Sequence, residues 1–176
     1  MRVQLHILGV LFFLIAMVSC KTKEVSKTSS VSQQDEELIT VKDPLLKQFP
    51  EGNVIVEVVT TPCFGECPVF DFHVEENGRA YFNGKRFVEF EGKYTTKLTD
   101  DQLDLIFKKA KKIDFFELES VYDEENVMDL PATYVFLRKG DQSKKIKARY
   151  NVPEDLKSYN RWLVDWIQTL QWNPVE

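Results

Sequence analysis

The chain of 176 residues carries 28 acidic and 23 basic side chains, so its formal net charge is −5. If an N-terminal signal that contains Arg2 is removed, the net charge becomes about −6. A negative net charge argues against nucleic-acid binding, because that function needs a basic surface. The sequence has no phosphate-binding glycine loop, no dinucleotide fingerprint and no serine in a nucleophile-elbow setting. We therefore expect no nucleic-acid partner, no cofactor and no catalytic residues.

Residues 1–19 have the pattern of a bacterial lipoprotein signal peptide. Arg2 precedes an apolar run at 5–18, which is shorter than the roughly 20 residues of a comfortable transmembrane helix. The sequence MVSC at 17–20 fits a lipobox, with Met17 in place of the usual leucine. We expect Cys20 to carry the lipid that anchors the protein to a membrane of the cell envelope. No run of acids follows Cys20, so the periplasmic side of the outer membrane is favoured.

Residues 20–50 are rich in Ser, Thr, Lys, Gln and Glu. Such a composition cannot bury enough apolar surface to offset its conformational entropy, so this segment is predicted to be a flexible tether. Residues 51–176 then have the length of one domain with a single core.

Two cysteines, Cys63 and Cys67, lie in the segment TPCFGECP at 61–68, between apolar runs typical of strands at 54–59 and 69–74. This segment is predicted to be the bend of a β-hairpin, in which Gly65 is free to take a positive φ. In an oxidising compartment the two thiols are expected to form a disulfide that fixes the local shape.

Alternating apolar and polar residues predict four strands joined by short turns. The dipeptide Asn77-Gly78 predicts a type I′ turn into a strand at 79–82, and Asn83-Gly84 predicts a further turn into a strand at 87–94. Together with the first two strands this makes an antiparallel meander. His73 is expected on the exposed, polar side of the second strand.

The second half of the chain predicts helix, hairpin and helix. Thr99 and Gln102 have capping-box spacing ahead of an amphipathic helix at 103–113, whose outer face carries four lysines. An acidic segment at 119–129 offers oxygen ligands of the kind calcium takes, but its spacing matches no EF-hand loop. A second hairpin is predicted at 133–138 and 145–150.

Pro153 suits the start of a final helix. An apolar stripe that includes Trp166 follows it, with Trp162 and Trp172 beside the stripe. The whole order predicts an α+β domain with an antiparallel sheet and both helices on one face.

Five segments of the chain resemble a bacterial family described as domain of unknown function 6438: TPCFGECPVF, NGRAYFNGKRFVEFEGK, IDFFEL, MDLPAT and VPEDL. The similarity spans residues 53–170. The resemblance implies a small lipoprotein or secreted domain, and it brings no activity or catalytic residue with it.

The expected function is an envelope-anchored module that binds an unknown envelope protein or small ligand, with the hairpin end at Cys63 and Cys67 as its recognition surface. The alternative is a working dithiol for redox exchange or copper. The spacing C-x3-C-P resembles the metal motif of the Sco copper chaperones, and thiolates select Cu(I), with His73 as a third ligand. Those chaperones have a thioredoxin-like fold with parallel strands, whereas this chain predicts an antiparallel meander.

Overall fold

The computed structural model describes residues 52–127 and 129–175. The expected signal peptide (1–19), the lipidated Cys20 and the tether (20–50) lie outside these residues. Eight strands are present: β1 Val54–Thr60, β2 Val69–Glu75, β3 Arg79–Arg86, β4 Gly92–Lys97, β5 Val121–Tyr122, β6 Thr133–Lys139, β7 Gln142–Ala148 and β8 Asn173–Pro174. The helices are α1 Asp100–Lys112, α2 Glu154–Gln168 and a 3-10 turn at Phe115–Glu117.

All eight strands belong to one sheet, in the order β5-β7-β6-β1-β2-β3-β4-β8. Every pair is antiparallel except the short β5–β7 pair. The second hairpin, β6–β7, joins the first through β1–β6 pairing. The predicted α+β class with an antiparallel sheet is confirmed. Within the described ranges, no helix is long and apolar enough to cross a membrane.

The core forms between alternate residues of the central strands and the apolar stripes of the two helices. This follows from the period of two along a strand, which sends every second side chain to the same side of the sheet. The central members of this core are Val58, Phe72, Phe82, Leu137, Ile106, Leu163 and Ile167. Helix α1 begins at the predicted capping box, where Thr99 Oγ1 accepts a hydrogen bond from the Gln102 amide and Gln102 Oε1 accepts one from the Thr99 amide.

The two predicted Asn-Gly turns differ from expectation. Gly78 has φ +81°, but Asn77 does not have a positive φ, so the β2–β3 connection is not type I′, which needs both residues in that region. The Gly78 amide bonds to Glu75 O at 2.9 Å, and the Asn77 side chain accepts from the Arg79 amide at 2.7 Å. The hairpin is present, with a longer loop closed by the left-handed glycine.

The predicted turn at Asn83-Gly84 is wrong, because both residues lie inside β3. Gly84 pairs with Gly92 of β4, and the chain between them forms a loop that folds back on the sheet. A Cβ on Gly84 would lie 1.9 Å from the carbonyl oxygen of Phe90, so glycine is needed here for close packing and not for a turn. The fourth strand accordingly begins at Gly92 and not at Phe87.

Three tryptophans border the core near the C-terminus. Trp172 stacks on Phe82 with ring centroids 5.2 Å apart, and its indole N–H donates to Ile167 O at 3.2 Å. Trp162 and Trp166 stack on each other at 5.7 Å. All three are half-buried, so Trp166, predicted on the core stripe, belongs to the margin of the core and not to its centre.

Candidate functional site

A groove of about 750 Å³ opens at the end of the sheet where β1 and β7 end and β2 and β6 begin. Thr60 of β1 pairs with Thr133 of β6, which in turn pairs with Ala148 of β7, and all three line the groove. Helix α2 closes its other side. This is the end of the sheet that holds the Cys63–Cys67 segment.

The disulfide loop forms one wall of the groove. Cys63 and Cys67 are joined by a disulfide with their Cα atoms 5.9 Å apart, and Cys67 and Pro68 line the cavity. Thr60 fixes this wall, because its hydroxyl donates to Pro68 O at 2.8 Å and accepts from the Phe70 amide at 3.0 Å. The hairpin and the disulfide were both predicted.

The tip of the disulfide loop differs from expectation in one respect. Gly65 does not have a positive φ, and its amide donates to Cys63 Sγ at 3.2 Å. Phe64 beside it is 92% exposed. The loop therefore presents an aromatic ring to solvent next to the groove wall formed by Cys67.

A second wall comes from Leu130 and Pro131, which precede β6. Thr61 holds this segment against the disulfide loop, since its amide donates to Ala132 O at 3.0 Å and its hydroxyl accepts from the Ala132 amide at 2.8 Å. Leu130 is exposed at the rim of the groove. Thr61 thus joins two stretches of the chain across a sequence separation of 71 residues.

The turn after β7 supplies a third wall, which includes Tyr150 and Val152. Asp123 anchors it: its carboxylate pairs with Lys147 Nζ at 2.8 Å and with the Arg149 guanidinium. Burial raises the pKa of Asp123, but the hydrogen bonds from Lys147 and Arg149 outweigh burial and leave the pKa below its ordinary value of 3.8. β7 ends at Ala148, and Asn151, with φ +51°, lies in the turn that leads to α2.

The acidic segment thus provides a structural anchor for the groove, because Asp123 is held by two cations. In the part of the chain that the structure describes, no group of three or more His, Cys, Asp or Glu side chains is placed to hold a metal ion.

Helix α2 forms the fourth wall with Lys157, Asn160, Arg161 and Val164, which share one face because they follow the i, i+3, i+4, i+7 spacing of a helix. Asn160 is only 7% exposed, and its side-chain amide makes no hydrogen bond with any described residue. Lys157 has only a 3.7 Å contact with exposed Glu154, and Arg161 has no ion pair among residues 52–127 and 129–175. The wall combines two cations with a buried amide oxygen that has no hydrogen-bond partner among the described residues.

His73 lies on the face of the sheet opposite to the buried side chains of Phe72 and Val74. Its ring stacks on Tyr81 with centroids 4.7 Å apart, and it pairs across the sheet with Glu57. Burial lowers the pKa of His73 below its ordinary value of 6.5, although Glu57, Glu75 and Asp71 oppose the shift. His73 is four residues into β2, roughly 13 Å beyond Val69 at the usual rise along a strand. The structure brings Cys63 and Cys67 together and does not bring His73 to them.

The α2 residues of the groove were not predicted from the sequence. The available signal was Asn160, which lies four residues after Leu156 and three before Leu163, both buried. A polar residue at a core position of an amphipathic helix is uncommon, because a buried amide without a partner is destabilising. That position marks the one place where α2 departs from a purely apolar inner face.

Comparison with known proteins gives a family and no function. No match was found among curated proteins or among solved structures. The family model described as Domain of unknown function (DUF6438) matches residues 54–170, which include β1 through α2 and every wall of the groove. The chain belongs to the DUF6438 family.

Proposed function

We propose that this protein is an envelope-anchored lipoprotein whose domain binds a ligand in the groove beside the disulfide, without catalysis. The observation that carries the proposal is the groove itself, with its apolar walls, two cations and a buried unpaired amide in one cavity of about 750 Å³. Small-molecule sites are typically clefts of roughly 300–1,000 Å³ with apolar lining and a few polar groups. This groove has that size and composition.

The anchoring part of the proposal depends on Cys20 and the segment that follows it. A flexible tether of about 30 residues would hold the domain on the order of 30 Å from the lipid. We expect Cys20→Ala to move the protein from the membrane fraction to the soluble fraction of the envelope, while Cys67→Ser leaves it in the membrane. Recovery of Cys20→Ala in the membrane fraction would exclude anchoring through this residue.

The binding part can be tested with a fragment library and ligand-observed NMR on the full-length protein in detergent micelles. Val152→Trp places a large ring in the groove from its third wall, and Val175→Trp makes the same substitution at an exposed position outside it. We expect fragments that bind the native protein to lose binding to Val152→Trp and to retain it with Val175→Trp. Equal binding to both variants would show that the groove is not the site.

A second candidate function is thiol–disulfide exchange at Cys63 and Cys67. The observation that favours it is the Gly65 amide, which donates to Cys63 Sγ at 3.2 Å and would stabilise a thiolate after reduction. Thiol counting on the folded native protein separates the two functions. A structural disulfide yields no reactive thiol until reductant is added under denaturing conditions, whereas an exchange site yields two thiols with mild reductant alone.

Titration of the reduced protein with Cu(I) tests the copper form, which requires tight one-to-one binding that Cys63→Ser removes.

A further inference from the structure

We infer that the groove binds the C-terminal end of a peptide, through its carboxylate and its last amide; this inference rests on the proposed binding function. The positive charges of the groove favour an anionic group in the ligand. Lys157 and Arg161 lie one helical turn apart, so their Cβ atoms are about 5–6 Å from each other. The third cation of the groove, Arg149, is already paired with Asp123. Two cations at this spacing favour one small anionic group, and a guanidinium matches a carboxylate with two parallel hydrogen bonds.

The side-chain amide of Asn160 favours an amide group in the ligand. Its Oδ1 is buried without a partner, and no described residue bonds to its Nδ2. A side-chain amide is satisfied by a partner that both donates and accepts, and a peptide amide is such a partner. Rotation about χ2 of asparagine is broad, so either amide atom can turn toward the groove. Asn160 lies three residues after Lys157 on the same face of α2, so a ligand amide at Asn160 and an anion held by Lys157 are near neighbours.

The apolar surface of the groove favours an apolar side chain in the ligand. Pro68, Val152 and Val164 line the groove from three different walls, and their side chains have no hydrogen-bonding group. A peptide terminus places a carboxylate, an amide and a side chain around one carbon atom, and an apolar side chain there would meet these three residues. Inorganic phosphate has the charge but neither the amide nor the apolar part.

The inference can be tested by following amide resonances of the ¹⁵N-labelled full-length protein in detergent micelles. Four probes separate the contributions: N-acetyl-Ala-Leu with a free carboxylate, the same dipeptide with a C-terminal amide, 4-methylpentanoate and inorganic phosphate. We expect the free acid to shift the resonances of α2 around Asn160. The uncharged amide and the amide-free 4-methylpentanoate should each bind about tenfold more weakly, since the first lacks the negative charge and the second lacks the peptide amide.

Variants assign each contribution to a residue. Lys157→Gln combined with Arg161→Gln should weaken the free acid about tenfold and leave the uncharged dipeptide unchanged. Lys108→Gln combined with Lys111→Gln removes the same charge from exposed positions on α1 and should change nothing. Asn160→Leu should weaken the dipeptide acid and leave 4-methylpentanoate unchanged. Because Asn160 is buried and its variant could misfold, the exposed Lys157 and Arg161 pair provides an independent test.

Two results would overturn the inference: equal affinity for the dipeptide acid and its amide, or phosphate binding as tightly as the dipeptide acid. If no probe binds while library fragments still bind in a manner sensitive to Val152→Trp, the ligand class is wrong and the binding function stands. If fragments also fail to bind, the binding function itself is lost.

Discussion

Replacement of Phe72 by alanine is expected to lower the free energy of unfolding by about 3–5 kcal/mol, because it removes a fully buried ring and leaves a cavity. Phe72 is 0% exposed, lies at the centre of β2, and contacts Trp172 edge to face with ring centroids 6.1 Å apart. The measurement is chemical denaturation of the full-length protein at neutral pH. The loss should appear as a lower midpoint without a change in slope.

Phe64→Ala is the matched control, because the same atoms are removed from a ring that is 92% exposed. Its effect should be within about 0.5 kcal/mol, as for most surface substitutions. If the two variants lost similar stability, the ring of Phe64 would be packed against the domain and the core would not be centred on β2.

Asp123→Asn is expected to lower the free energy of unfolding by about 1.5–3 kcal/mol at neutral pH, the range for hydrogen bonds to charged groups. Its side chain is only 13% exposed and bonds to Lys147, Arg149 and the Glu124 amide. Asp141→Asn, in the exposed β6–β7 turn, is the control and should be close to neutral. Both are measured by chemical denaturation.

The effect of Asp123→Asn should depend on pH in one direction. The folded protein holds the pKa of Asp123 below 3.8, so the stabilising contribution is complete above the unfolded value and is lost as the pH falls through the folded value. The difference between native and variant protein should stay constant from about pH 5 to 8 and shrink below about pH 4. A difference that grows at low pH would contradict the ion pairs seen here.

Much of the fold could be predicted because local pattern and tertiary environment agree. The capping box at Thr99 and Gln102 specifies the start of α1, and the alternation of Phe70, Phe72 and Val74 specifies which side of β2 is buried. The turn at Gly84 was mistaken because a glycine signals freedom of φ and close packing equally well. Only the loop that returns over Gly84 distinguishes the two.

The candidate site was predicted at its disulfide wall and missed elsewhere, for a physical reason. Cys67 and Pro68 lie in a local motif, whereas the groove exists only because Thr61 binds Ala132 and because α2 crosses the same end of the sheet. These contacts join residues about 70 or more positions apart. Among the groove residues of α2, only Asn160 stood out in the sequence, as a polar residue at an apolar position. That exception can be recognised only when the buried face of the helix is already known.

The pairing of β1 with β6 has a consequence for how the chain reaches this structure. Glu57 lies opposite Phe136, so a central pair of the sheet joins segments separated by almost 80 residues. Such non-local contacts form slowly, because a long loop must close before they stabilise anything. If the chain emerges N-terminus first, β1 to β4 can assemble while the edge of β1 that pairs with β6 still has unpaired amide and carbonyl groups. Until β6 pairs with β1, the chain therefore exposes a free strand edge, which can pair with another chain and aggregate.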